Sequence, residues 1–324
     1  MKILDETRGK EIFALLILSI ATIIASLKRF GWVYPDSSSY LLFVEYFQGT
    51  LPGNELIAPF CYRPLLPLMV ALTPISPLVS FPVYNLLFEI MLSWVFFYIA
   101  REFDFSILSS LAASGVCSFS FIVAFYGTAV LVDAGSMLFL ALAMLLMLRG
   151  QSSYRIAVLL TVGILFKETA IIGILAYILY RRSRDSLIMI IPVATYLLIR
   201  YLTPSANPGY LWNFHLETFT IYFIPTMTTF LYALFPFVLM CIPGLLRILR
   251  GPNRYTKELN WLIISGIPAL GYLGAGLFLA HFDCRFIWPL YIALVPLMAA
   301  GATEVLQLLG IERTSCEPDD SSQE

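Results

Sequence analysis

Charge is what this sequence has least of. Only 13% of its residues are Asp, Glu, Lys or Arg and 59% are hydrophobic, where soluble chains carry roughly 25% and 45 to 50%. No stretch is polar enough to form a soluble domain of useful size. Histidine is nearly absent, with His215 and His281 alone. The five cysteines (Cys61, Cys117, Cys241, Cys284 and Cys316) are odd in number and lack a C-x-x-C spacing, so neither a zinc site nor a disulfide scaffold is indicated. Whether Cys61 and Cys284 pair stays open. The motifs G-x-x-x-x-G-K-[ST], G-x-G-x-x-G after a strand and H-E-x-x-H are also missing, which removes the usual signs of ATP hydrolysis, nicotinamide chemistry and zinc proteolysis. A cysteine with His281 would suit thiol transpeptidation, but no local pattern supports it. A net charge of −1 says nothing about nucleic acid when charges are sorted between loops on two sides, and no nucleic-acid partner is expected.

What the chain does have is long apolar runs, giving a mean hydropathy of +0.83. About 20 apolar residues cross roughly 30 Å of hydrocarbon. Runs between charged, Pro or Gly punctuation predict spans near 12–28, 82–100, 105–126, 129–148, 186–202, 219–249, 260–280 and 286–309. The first reads as a retained signal anchor, because its apolar core is longer than a signal peptide's. The stretch "RPLLPLMVALTPISP" has prolines at 64, 67, 74 and 77, which leave too short a helix to cross. It is expected to be interfacial or re-entrant. "IAVLLTVGILFKETAIIGILAYILY" carries Lys167 and Glu168 at its centre. Arg149 and Arg155 precede it and Arg181, Arg182 and Arg184 follow it. Since basic residues near span ends favour the cytoplasm, the run is expected to fold as a hairpin with both clusters inside.

The fold class expected is therefore all-α, a polytopic integral membrane protein of about ten helical passes with both termini cytoplasmic. Residues 1–310 form one transmembrane domain, 29–81 its first extracytoplasmic loop with interfacial helices, and 311–324 an acidic, disordered tail. This topology puts Lys2, Arg8, Lys10, Arg101, Arg149, Arg155, Arg181, Arg182, Arg184, Arg247, Arg250, Arg254, Lys257 and Arg313 inside, 14 of the 20 basic residues. Making 64–79 a span would move most of them outside.

On the same topology Asp36, Arg63, Asp133, Lys167, Glu168, His215, His281, Asp283 and Arg285 all fall on the outer side. Asp36, after Pro35 in "GWVYPDSSSY", is either a helix cap or a catalytic carboxylate. Tyr40, Phe43, Val44 and Phe47 follow at i, i+3, i+4 and i+7, a helix expected to lie on the membrane surface. Lys167 and Glu168 cannot pair with each other, because neighbouring helical side chains point apart. Each needs its own partner: another helix, or for Lys167 an anionic ligand. Asp133 opens a span, where an acid suits either the helix dipole or an outer cavity. Arg63 and Arg285 are either snorkelling or phosphate-binding.

Five fragments in order, "PDSSSYL", "YRPLLPLMVAL", "LVDAGSMLF", "GILFKETA" and "CRFIWPLYIAL", resemble motifs of the GT-C superfamily of membrane glycosyltransferases. That group contains protein O-mannosyltransferases and lipid A aminoarabinose transferases. The resemblance implies inverting transfer of a sugar from a polyprenyl-phosphate donor, itself a partner within the membrane lipid, to an acceptor hydroxyl on a protein, lipid or glycan at the extracytoplasmic face of the cell membrane. Asp36 and Asp133 would be catalytic. Arg63, Lys167 and Arg285 would hold the lipid phosphate, and Tyr40, Glu168, His281 and Asp283 would bind substrate elsewhere. No cofactor is certain. The first loop lacks the paired acids of some members, so a metal role is doubtful, although Asp36 and Asp133 have oxygens suited to a shared divalent cation such as Mg or Mn. The large soluble domain of many members is absent. Two other readings compete: a transporter or flippase of a lipid-linked saccharide, against which the lack of a second proline-rich or Lys-Glu segment counts, and a non-catalytic envelope assembly subunit.

Overall fold

A computed structural model of the chain describes residues 2–181, 184–207, 216–251, 255–278 and 284–312. Among these residues all regular structure is helical. The elements are α1 (Lys2–Leu27), α2 (Pro35–Phe47), α3 (Leu65–Ala71), α4 (Pro77–Arg101), α5 (Ile107–Ser118), α6 (Phe121–Tyr126), α7 (Asp133–Leu148), α8 (Ser153–Phe166), α9 (Ile171–Arg181), α10 (Ile190–Leu202), α11 (Leu216–Arg250), α12 (Thr256–Phe278) and α13 (Trp288–Leu308), with short 3-10 turns between several of them.

Five helical segments are long and apolar enough to cross a membrane: 7–27, 77–101, 184–202, 256–276 and 284–308. A sixth is α11 if its two limbs, Met227–Phe235 and Phe237–Arg250, bent by 56°, count as one span. Large apolar side chains cover the outward faces, among them Phe13, Leu16, Ile20 and Ile24 on α1 and Ile190, Leu197 and Leu198 on α10. Apolar surface on that scale suits hydrocarbon as the solvent. Residues 105–126, expected as one span, instead form α5 and α6 with a break at Phe119 and Ser120. Ser120 starts a new helix by accepting the Val123 amide (3.4 Å), just as Ser106 accepts that of Ser109 (3.0 Å) at the start of α5. Both are N-caps.

The Lys-Glu segment folds as a hairpin. The Tyr177 hydroxyl near the end of α9 donates to Ser153 at the start of α8 (2.6 Å). Nearer the apex, Gly173 lies against Leu160 and Gly163 against Ala170. These pairs are antiparallel, so Lys167 and Glu168 sit at the turn. The chain breaks there because Lys167 is extended (φ −166°, ψ 147°) and a 3-10 turn, Glu168–Ala170, follows it.

The segment between α1 and α4 differs from expectation in its surroundings. The Tyr40, Phe43 and Val44 face of α2 is buried against protein, with Tyr40 edge-on to Phe60 (5.5 Å), and not laid on lipid. A second small core of Phe43, Leu56, Ala58, Cys61 and Tyr62 ties this loop to the segment after α10, where Asn207 accepts the Ala58 amide (2.9 Å). α3 has seven residues, about 10 Å of rise, and does not span. The tail's first residues are anchored, since the Glu312 carboxylate accepts from Ser106 and, at 3.3 Å, from Ser109; residues 313–324 lie outside the described set.

The bundle has two chemically distinct ends. One carries Arg101, Arg149, Arg247 and Lys257, with Arg149–Glu102 at 2.6 Å and Arg247–Glu304 at 3.0 Å. The other gathers α2, the α8–α9 apex and the starts of α4, α7 and α13. α11 and α13 cross closely enough that a Cβ on Gly244 would strike the Leu297 carbonyl, and one on Gly301 the Met240 carbonyl. Small residues allow such approach. Gly301→Val is therefore expected to lower stability by about 2 kcal/mol or more through overpacking, measured by thermal unfolding in detergent. An unchanged midpoint would contradict the crossing.

Candidate functional site

α2 begins with Pro35, whose fixed φ suits the first helical position, so Tyr34 takes the cap position and Asp36 is one residue inside the helix. The Tyr34 amide donates to the Ser37 hydroxyl (2.8 Å). Asp36 therefore does not occupy the cap position. Its carboxylate accepts from Arg285 Nη2 (2.9 Å).

Arg285, in the 3-10 turn Cys284–Ile287, reaches further, with Nη1 3.4 Å from Asp133 Oδ2. The other Asp133 oxygen receives Lys167 Nζ at 2.5 Å. One line of charge thus runs Asp36, Arg285, Asp133, Lys167. Beside it, Glu168 accepts a two-pronged bond from Arg63, Nε to Oε2 at 2.9 Å and Nη2 to Oε1 at 2.5 Å, the fork-to-carboxylate geometry that arginine favours. The remaining Arg63 nitrogen, Nη1, donates to the Tyr40 hydroxyl (2.6 Å). Burial pushes the Tyr40 phenol well above its usual range, against the pull of Arg63. Tyr40 is therefore a neutral acceptor. Lys167 and Glu168 each have a separate partner, as their adjacency demands.

Seven residues from five separate segments, Asp36, Tyr40, Arg63, Asp133, Lys167, Glu168 and Arg285, so meet at one end of the bundle. Three cations face three acids. Arg63, Asp133 and Lys167 are buried, while Asp36 keeps 28% of its side chain exposed against 5% for Asp133 and 16% for Glu168. Asp36 is the acid an incoming molecule reaches most readily. His281 and Asp283, and His215 with them, lie outside the described residues. The position between Asp36 and Asp133, where a shared divalent cation was considered, is taken by the Arg285 guanidinium. A metal there would have to displace it. Among the described residues no group of three His, Cys, Asp or Glu side chains stands ready to hold an ion.

The described cysteines are free thiols, so Cys61 and Cys284 do not pair. Burial pushes the Cys61 thiol up to about 11, leaving it protonated and a poor nucleophile at neutral pH.

Two groups near the site escape a reading of composition and spacing. Glu89, midway along α4 and 2% exposed, has Oε1 without a hydrogen-bond partner and lies against Gly127. A lone acid inside a long apolar run is the signal that marks it. Tyr126 at the end of α6 stacks on Tyr34 (5.1 Å) and lies under Arg285 (5.3 Å); as one aromatic among many, it carries no sequence signal.

No protein-family model, no curated protein and no solved structure matches the chain, so the GT-C resemblance rests on its short motifs. The pairing itself is testable. Removing one partner of a buried ion pair costs about 3 to 5 kcal/mol because a charge is left uncompensated. Lys167→Met is expected to destabilise on that scale, and adding Asp133→Leu to restore part of the loss, with a coupling of about 1 to 3 kcal/mol. Strictly additive losses in denaturant unfolding would rule out the pair.

Proposed function

We propose that the protein is an inverting, polyprenyl-phosphate-sugar-dependent glycosyltransferase of the membrane. In this reading it has about ten helical passes, cytoplasmic termini and its site at the extracytoplasmic face. The observation that supports it most is the convergence of Asp36, Asp133, Lys167, Arg285, Arg63, Glu168 and Tyr40, residues scattered over some 250 positions, on one charged cluster. These are the residue types the reaction needs: cations for a phosphate leaving group and an accessible carboxylate for a hydroxyl proton.

Among the described residues three acids match the three cations, so a lipid phosphate binds by exchange. Its oxygens replace the Asp36 carboxylate on Arg285, the outermost of the three cations to be engaged, with Lys167 behind it through Asp133. Released Asp36 accepts the proton of the acceptor hydroxyl as that oxygen attacks the anomeric carbon. The bond from the anomeric carbon to the phosphate oxygen breaks, and the electron pair leaves with polyprenyl phosphate, whose charge the arginine and lysine stabilise. Attack opposite to departure inverts the centre. Arg63, locked by Glu168 and Tyr40, fixes the α8–α9 apex and so the height of Lys167.

The test is transfer of radiolabelled sugar from short polyprenyl-phosphate donors to a panel of hydroxyl acceptors by the purified protein. Asp36→Asn is expected to lower kcat by about 100-fold or more while donor binding holds or strengthens, because the competing carboxylate is gone. Full transfer by Asp36→Asn would remove Asp36 as the base. Movement of intact lipid-linked saccharide between leaflets, with no glycoside formed, would replace this reading with transport.

A further inference from the structure

Among the described residues the three cations of the charged cluster are each bonded to an acid, so a phosphate that reaches them must compete with a carboxylate. Arg29 breaks this pattern. It stands just beyond α1, at the same end of the bundle, where the neighbouring chain is tied to the site by Gly31 N donating to Thr128 O (3.1 Å) and Val130 N to Trp32 O (3.0 Å). Its guanidinium carbon lies 3.3 Å from the Trp32 ring centroid and 4.3 Å from that of Phe125. Among the described residues no carboxylate pairs with it.

A guanidinium whose carbon lies over aromatic rings makes cation–π contacts and still has N–H groups with which to bind a phosphate. Trp32 is 48% exposed and Val33 56%, an exposed apolar edge of the kind that suits a bilayer surface, where aromatic side chains collect. From Arg29 an aromatic line leads inward. Trp32 is 6.3 Å from Tyr34, Tyr34 is 5.1 Å from Tyr126, and Tyr126 is 5.3 Å from the Arg285 guanidinium. The Tyr34 hydroxyl, donating to the Phe125 carbonyl (2.8 Å), fixes this line to α6.

We propose that Arg29 is a capture site for the phosphate of a lipid monophosphate, and that the aromatic line from Trp32 to Tyr126 is the path by which that phosphate reaches Arg285. The proposal rests on the donor class inferred above, but not on catalysis. Arg29, with no carboxylate partner among the described residues, provides long-range attraction, and Arg285 provides the second, competing binding position. Phosphate on a bulk phospholipid has the same chemistry, so the source must be separated by experiment.

The experiment measures binding of farnesyl phosphate to the full chain in nanodiscs of neutral phosphatidylcholine, and separately the chain's retention of phosphatidylglycerol. Expected for Arg29→Ala is about tenfold weaker farnesyl phosphate binding, with phosphatidylglycerol retention and melting temperature unchanged. Arg29→Lys recovers only part of it, since the ammonium lacks the flat fork. Trp32→Leu, which removes one ring, weakens binding in the same direction. Where sugar transfer is measurable, Arg29→Ala raises KM for the donor and leaves kcat in place. Unchanged farnesyl phosphate binding in Arg29→Ala would overturn the proposal, and so would an equal loss of phosphatidylglycerol, which marks a headgroup anchor only. If no sugar transfer is found but farnesyl phosphate binding still depends on Arg29, the capture site stands and the transferase reading falls.

Discussion

An apolar surround solvates no charge, so each buried ion must be matched by another. The contact on which the rest of this end of the molecule depends is Asp133 held between two cations, Lys167 at 2.5 Å and Arg285 at 3.4 Å. Asp133 fixes where α7 starts against the hairpin apex. Lys167 in turn fixes the break between α8 and α9, and Arg285 fixes the turn into α13. Without this carboxylate Lys167 and Arg285, cations from separate segments, would be brought together without the acid that now lies between them. The bidentate Arg63–Glu168 pair performs a parallel function for the segment between α2 and α3.

Charge matching also explains why so much of the site was legible in the sequence while its wiring was not. Lys167 and Glu168 stand out because they are the charged residues in a 25-residue stretch that is otherwise almost wholly apolar, and the flanking arginines favour a hairpin. That each needs its own partner follows from adjacency alone. Which partner does not, since Asp133 and Arg63 lie 34 and 105 residues away and only tertiary packing selects them. Asp36 shows the reverse. As a lone Asp before serines it reads as either a cap or a catalytic carboxylate, but Pro35 takes the first helical position and shifts the cap to Tyr34, freeing Asp36 for Arg285.

The fold was legible in class and blurred in detail for a related reason. Hydropathy sums over a window and does not register where a backbone restarts. Ser120, buried between phenylalanines in "SFSFIV", starts α6 in the middle of what reads as one span. Likewise the Tyr40, Phe43 and Val44 face of α2 has the periodicity of a surface helix, yet what covers it is protein. Periodicity reports that a face is buried, not against what. Glu89 was lost among its neighbours because spans are found by their average, and a single acid in a 25-residue helix barely lowers it.

Among the described residues three acids are matched to three cations, and any anion that binds there must compete with them. Bringing a phosphate to matched pairs adds uncompensated negative charge in a poorly solvating place, which is costly. The cost falls if one internal acid is released toward water as the phosphate arrives. Asp36 suits that exchange best, being the most exposed of the three acids and bonded to only one of the three cations. Asp133, with two cations and 5% exposure, suits it least and stays as the fixed reference charge. On the proposed reading one exchange therefore does two things: it seats the leaving group on Arg285 and unpairs the base beside it. A carboxylate freed only when the donor is bound is kept from other protons until then. On that reading the pairing at rest is part of the chemistry and not a competitor to it.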